Sequence, residues 1–416
     1  MRKENFIKRR EKLMDIIPDN SVVILFSGIA HKASADSEYP FQVNTNFFYL
    51  TGIKQENSAL ILAKINQERY TYLFIDPIDE AREKWVGRKL KPEQASDLSG
   101  VTGILFGDHL DSKVFDLLTN NSTYGMIEHV FLDLEPELYI AKKITTEEYK
   151  LDLERKFKHP VENIFQEIVK LRMIKDEEEV KALKESIKLT NKALQILMKS
   201  IKDGMFEYQI ANQFEYIIKD QRAKLSFPTI AASGKNATIL HYPDLDSKMQ
   251  DGHLLLLDLG ANLTGYNADI SRTYPVYGVF NPLQRQLYEI VLAANKAVIG
   301  FIRPGLTIAE LQAFTIEFMS SRLVEAGLLQ KKEDISKVYY HNVSHHLGLD
   351  THDQCLRELK LEAGHVITVE PGLYFANLGI GIRIEDDVLV TTSGAQNLSS
   401  EIIKEIDDIE KFMKRK

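Results

Sequence analysis

Leu254 to Pro275 reads LLLLDLGANLTGYNADISRTYP, and it places two carboxylates where a globular core does not ordinarily want them. Asp258 ends an apolar run of strand character, and Asp269 lies in a second extended run beyond the turn-forming residues Asn262 and Gly265. A hairpin over this stretch sets Asn262 against Gly265 at its tip and Asp258 against Asp269 on one face. Directly opposed residues of an antiparallel pair have Cβ atoms roughly 4.5–5.5 Å apart, and like charges there are destabilising. A bound cation would neutralise them. Four leucines leading into Asp258 describe a buried strand ending at a site, not a surface hairpin with two solvated aspartates.

The missing ligands come from the last third of the chain. Glu370 follows the apolar run Val366-Ile367-Thr368-Val369 and precedes Pro371-Gly372, so it also ends a buried strand. Glu385 lies 15 residues on, and the midpoint of the pair falls at Asn377-Leu378, so the two glutamates face one another across a second hairpin. Of the 11 histidines, His341, His345, His346 and His352 crowd into HNVSHHLGLDTHD. That density points to ligands among them, although not all four can serve. Four carboxylates with an imidazole make a mostly oxygen-donor set, suited to hard or borderline divalent ions such as manganese rather than to a thiolate-rich zinc site. The count fits a pair of ions, which activate water and polarise a carbonyl. The implied reaction class is hydrolysis.

At 416 residues the chain is too long for one ordinary core and suits two domains. Its net charge of −8, with acidic and basic residues mixed, gives no basic face for nucleic acid. No apolar run is long enough to span a membrane. The opening MRKENFIKRREKLMDII is charged throughout, the pattern of a surface amphipathic helix rather than of a secretory signal. A single cysteine, Cys355, allows no intrachain disulfide and suits a reducing compartment, so a cytoplasmic location is expected.

In the first part, Val22 to Phe26, Ala59 to Ala63, Tyr70 to Ile75, Ile104 to Phe106 and Val130 to Leu132 read as strands, with helical patterns such as Asp79 to Leu90 between them. This is the alternation of an α/β domain over 1–170. No glycine-rich phosphate loop follows any of these strands. From 171 to 416 the chain follows an α+β plan, two helices and then strands, run through twice. The helices are expected from Glu177 and over Phe206 to Asp220, then over Pro282 to Ile299 and Thr307 to Gly327.

The motifs LLLLDLG, NADISRTYP, SHHLGLDTHD, TVEPGLYF and GIRIEDD together resemble the pita-bread metallopeptidases, and the Xaa-Pro aminopeptidases (aminopeptidase P) among them. ADSEYPFQVNTNFFYLTG (Ala35 to Gly52) and EKWVGRKL (Glu83 to Leu90) extend the resemblance to the N-terminal half. It implies a C-terminal pita-bread, creatinase/aminopeptidase-like catalytic domain after the α/β domain. The implied metal ligands are Asp258, Asp269, His345, Glu370 and Glu385, with Asp269 and Glu385 bridging two ions. The ions would be manganese, with cobalt or zinc as alternatives.

The same resemblance gives Glu370 the proton of the nucleophilic water. It sets His241 and His352 on the scissile carbonyl and leaving nitrogen, and His341 and Arg383 along the substrate cleft. It further implies peptide substrates with proline second and a homodimer or homotetramer, with Trp85 either at a subunit contact or in core packing. Three features depart from the family pattern: Asn342-Val343 followed by His346, Phe227 where a tyrosine sometimes stands, and a short segment 353–369. The alternatives are a dipeptidase limited to Xaa-Pro dipeptides and a non-catalytic pita-bread binding protein.

Overall fold

The computed structural model describes residues 1–135, 145–356 and 358–414. These divide into two compact units, Met1–Arg172 and Met173–Lys416.

The first unit is built on a six-stranded mixed sheet. Its strands are β1 (Ser21–Phe26), β2 (Ala59–Ile65), β3 (Glu68–Ile75), β4 (Gly103–Phe106), β5 (His129–Leu132) and β6 (Val161–Asn163), in the order β4-β3-β2-β1-β5-β6. The β2–β3 hairpin turns on Asn66 and Gln67, whose φ angles of 51° and 69° match the two-residue turn that suits strand twist. The opening helix, Lys3–Ile16, corrects the expectation of a surface element. Arg9 and Arg10 are buried, and Arg10 donates to the carbonyls of Leu50 (2.7 Å) and Ser99 (2.9 Å). Those are the last carbonyls of the helices Thr45–Thr51 and Pro92–Ser99, which need donors where their own ladders end. Trp85 is 90 % exposed, so core packing is not its role.

The second unit runs through its plan twice. Asp176 opens the helix Glu177–Ser200 with a capping box closed by Glu179, and Glu207–Asp220 follows. Then come β7 (Lys224–Leu225), β8 (Ile230–Ser233), β9 (Leu254–Leu259), β10 (Ala261–Asn262) and β11 (Ile270–Pro275). The helices Pro282–Phe301 and Ile308–Glu325 begin the second pass. It ends in β12 (Val366–Val369), β13 (Gly372–Phe375), β14 (Ile380–Arg383), β15 (Asp386–Val390) and β16 (Ala395–Asn397). The run of leucines in β9 is explained by cover on both faces. Leu255, Leu257 and Leu259 enter the main core, while Leu256 packs on the other side with Ile230, Ala232 and Tyr374.

The first hairpin departs from the expected register by two residues. Asp258 faces Ser271, and Leu259 faces Ile270. The tip is a four-residue loop, because Asn262 pairs with Asn267 rather than with Gly265: its Nδ2 donates to Asn267 Oδ1 (2.7 Å) while its Oδ1 accepts from Gly265 N (2.8 Å). A slip of two keeps every side chain on its face, so Asp258 and Asp269 still share one. Gly260 is required where the strands close, since a Cβ there would lie 1.8 Å from Ala268 O. In the second hairpin β12 pairs β15 with Val369 facing Asp386, and β13 pairs β14 with Gly372 facing Arg383. The shared register sets Glu370 against Glu385 in the gap between the two ladders.

Behind this gap lies a buried ion pair. Arg272 Nη2 donates to Asp386 Oδ1 at 2.8 Å, with neither side chain exposed. Lys404 also binds Asp386, and the two cations hold that carboxyl at about 2 despite burial. Removing Arg272 leaves buried Asp386 with Lys404 alone and takes a donor from the carbonyls of Ser271 and Glu385. Arg272→Met should therefore destabilise the protein by ~3–5 kcal/mol, read as a fall in the denaturant midpoint at unchanged m-value.

Candidate metal centre

The two hairpins bring the five expected ligands to one place. One oxygen or nitrogen from each of Asp269, His345 and Glu385 lies within 4.8 Å of the others. Glu370 joins them through Oε1, 3.6 Å from His345 Nε2, and Asp269 Oδ2 is 3.4 Å from the same nitrogen. Asp258 is held by Arg383, whose Nη2 donates to Oδ2 at 2.6 Å, while Oδ1 is buried with no hydrogen-bond partner among the described residues.

His345 arrives on the loop after Tyr339, which two contacts fix. Its own N donates to Thr368 Oγ1 (3.1 Å), and Asn267 at the first hairpin tip donates through Nδ2 to Leu349 O (2.8 Å). The ring nitrogen Nδ1 donates to His346 O at 2.9 Å. Nε2 is thereby left as the lone-pair nitrogen facing the carboxylates, as a ligating imidazole requires.

Burial raises Asp269 and Glu385 well above the ordinary carboxylate range, and neighbouring carboxylates raise them further, Asp258 above all for Asp269 and Asp269 for Glu385. Burial likewise raises Glu370, against the pull of His345 and Arg383. Such crowding is costly unless cations answer it. The donor set fits a divalent metal on three counts: acceptor-rich oxygens, an imidazole with a free Nε2, and a buried unpaired Asp258 Oδ1.

The remaining expected residues surround this cluster. His352 is exposed, and its ring stacks on that of His345 at 3.9 Å. His341 is half-buried. Its Nδ1 donates to Asn342 O (2.8 Å), which leaves Nε2 to accept from Tyr374 OH (2.8 Å). Both are held neutral at pH 7: burial pushes His341 down to about 3, and His352, exposed as a residue but desolvated where its ring stacks on His345, falls to about 4. His241 is exposed and lies close enough to interact electrostatically with both His341 and His352. Arg383 spans the cluster, donating to Ser271 Oγ (2.7 Å), Tyr374 OH (3.1 Å) and Asp258. His346, a departure from the family pattern, is buried and packs edge-on against His365 at 5.1 Å, so it fills the space a large apolar residue would take. The short segment 353–369 is described except for residue 357.

Four polar residues of the site were not singled out from the sequence. Ser271 Oγ donates to Glu385 Oε2 (2.8 Å), and Thr368 Oγ1 donates to Glu370 Oε1 (3.3 Å). Asp387 Oδ2 accepts from Asp269 N (3.2 Å), and Tyr374 links His341 to Arg383. The correct register of the first hairpin would have revealed Ser271, which stands opposite Asp258.

Comparison with known proteins accords with this geometry. Residues 181–392 match the model of metallopeptidase family M24, and residues 6–126 match the aminopeptidase P N-terminal domain. The chain is 32 % identical to Xaa-Pro aminopeptidase of Escherichia coli, over 99 % of this chain and 98 % of that one. A Bacillus anthracis structure provisionally described as an aminopeptidase P superposes with TM-score 0.96 at 41 % identity, covering 99 % of this chain and 98 % of that one. Zn-substituted E. coli aminopeptidase P in complex with product superposes with TM-score 0.90 at 32 % identity and the same coverage. The expected architecture, an aminopeptidase P N-terminal domain before a pita-bread domain, is therefore the one found. The chain belongs to metallopeptidase family M24, with the domain arrangement of aminopeptidase P.

Proposed function

We propose that the chain is a dinuclear-metal aminopeptidase that hydrolyses the bond between an N-terminal residue and a following proline. The observation that carries this reading is the meeting of Asp269, Glu370 and Glu385 from two hairpins with His345 Nε2 from the loop after Tyr339, Asp258 beside them, in a chain that E. coli Xaa-Pro aminopeptidase matches end to end. In this reading Asp269 and Glu385 would be shared between the two ions. Asp258 completes one site, and His345 with Glu370 completes the other. Two divalent ions, manganese before cobalt or zinc, would lower the pKa of water and polarise the scissile carbonyl.

Glu370 takes the proton of the attacking water and returns it to the leaving nitrogen. Its exposure supports that choice: its side chain is 16 % exposed, against 12 % for Asp258 and 6 % for Asp269. Solvent and substrate reach it most readily. Neutral His352, with His241, donates hydrogen bonds to the carbonyl and the leaving nitrogen as charge develops. His341 and Arg383 line the cleft, their orientation set by Tyr374 between them. A homodimer or homotetramer assembled through the N-terminal unit accounts for the exposed Trp85. A cytoplasmic location suits the single cysteine.

A tripeptide and a dipeptide with proline second, assayed side by side, test the substrate class. Release of the N-terminal residue from the tripeptide is the expected outcome. Cleavage confined to the dipeptide would assign the chain to dipeptidases instead.

A further inference from the structure

The second hairpin is broken where it carries its two glutamates. The β12–β15 ladder stops at Val369 and Asp386, the β13–β14 ladder starts at Gly372 and Arg383, and Glu370-Pro371 faces Ile384-Glu385 between them. Ile384 N donates to Pro371 O at 3.3 Å. The return bond that completes such a pair is impossible, because proline has no N–H. A buried carbonyl left in that way needs another donor.

Asn295 supplies it. This residue of the helix Pro282–Phe301 is fully buried, and its Nδ2 donates to Ile384 O (3.3 Å) and to Val369 O (3.1 Å). These are the carbonyls of the two peptide groups that lead into Glu385 and Glu370. Lys404 Nζ donates to Asn295 Oδ1 at 2.7 Å, so the oxygen of the amide faces the cation and the NH₂ faces the hairpin. The same Lys404 binds Asp386, which pairs with Arg272, and Arg272 Nη1 donates to Glu385 O. Both glutamate peptides are thus held from behind by one hydrogen-bonded web.

We infer that Asn295 is a positioning residue for the metal centre: it replaces the donor that Pro371 removes and sets the spacing of Glu370 and Glu385. The inference rests on the reading of those glutamates as metal ligands. Loss of partners behind a ligand typically weakens metal binding 10–100-fold.

The test is manganese binding to chelator-stripped protein, measured by isothermal titration calorimetry for wild type, Asn295→Leu and Lys404→Met. Asn295→Leu keeps the branching of the side chain, at a larger volume, and removes both donors, while Lys404→Met frees the amide to rotate. Asn295→Leu is expected to raise the manganese dissociation constant ~10–100-fold, and Lys404→Met to raise it by less. With manganese saturating, kcat should fall while KM for a tripeptide stays within twofold. Dissociation constants within twofold of wild type in both variants, with only the melting temperature lowered, would overturn the inference and leave Asn295 a packing residue. Should Asn295→Leu not fold, unchanged binding in Lys404→Met overturns it equally. Absence of manganese binding to the wild-type protein would bring down the metal-centre reading itself, and the inference with it.

Discussion

Glu370→Gln is expected to lower kcat for an Xaa-Pro tripeptide by ~10²–10⁴-fold, with a much smaller change in KM. The substitution keeps the shape and an oxygen able to face a cation, but it removes the proton acceptor. The other three carboxylates cannot take over. Asp258 is tied to Arg383 at 2.6 Å, Asp269 is buried with its Oδ2 turned to His345 Nε2 at 3.4 Å, and Glu385 is buried beneath Ser271 Oγ. Turnover within tenfold of wild type, at equal metal content, would place the base elsewhere.

Stripping the metal is expected to lower the melting temperature, and the loss should shrink as the pH falls. Each ion held at 100 times its dissociation constant contributes ~2.7 kcal/mol, worth about 5–10 °C for a unit of this size. The sign of the pH dependence follows from the raised carboxyls. Asp269 and Glu385 have folded values well above their unfolded ones. Their contribution to the stability of the metal-free protein is complete below the ordinary carboxylate range and is lost as pH rises through the raised values.

At high pH the metal-free protein thus carries repelling charges that the ions would neutralise. At low pH it protonates them and no longer needs the ions. His341, His346, His352 and His365, all lowered by burial, act with the opposite sign, losing stability as pH falls below their ordinary value near 6.5. The paired comparison at each pH reads the carboxylates against that background. Paired thermal melts with and without chelator from about pH 8 to about pH 5.5 should converge; parallel curves would mean that the carboxylates are not crowded.

The facing of Glu370 and Glu385 in the second hairpin was legible because the pair is symmetric about Asn377-Leu378, and the same register runs on both sides of the break at Pro371. The first was misread by two residues. Asn262 and Gly265 look like opposing turn residues, yet the side chain of Asn262 closes on Asn267 and opens a longer loop. Period-two geometry made the error harmless to the site. What stayed hidden depends on partners far apart in sequence. Arg9 and Arg10 look like surface charges until the carbonyls of Tyr49, Leu50 and Ser99 meet them. Asn295 looks like an ordinary helix residue until the missing N–H of Pro371 gives it a task. Tyr374 sits within a recognisable motif, but its contact with His341 and Arg383 is a product of folding alone.

Hydrolysis of a tripeptide with proline second, followed in the manganese-loaded protein, the chelated protein and the chelated protein reloaded with manganese, tests the central claim most directly. Release of the N-terminal residue by the loaded enzyme is expected, with its loss on chelation, its return on reloading, and little cleavage when alanine replaces the proline. Equal cleavage by the chelated protein, or equal cleavage of the alanine peptide, would contradict it.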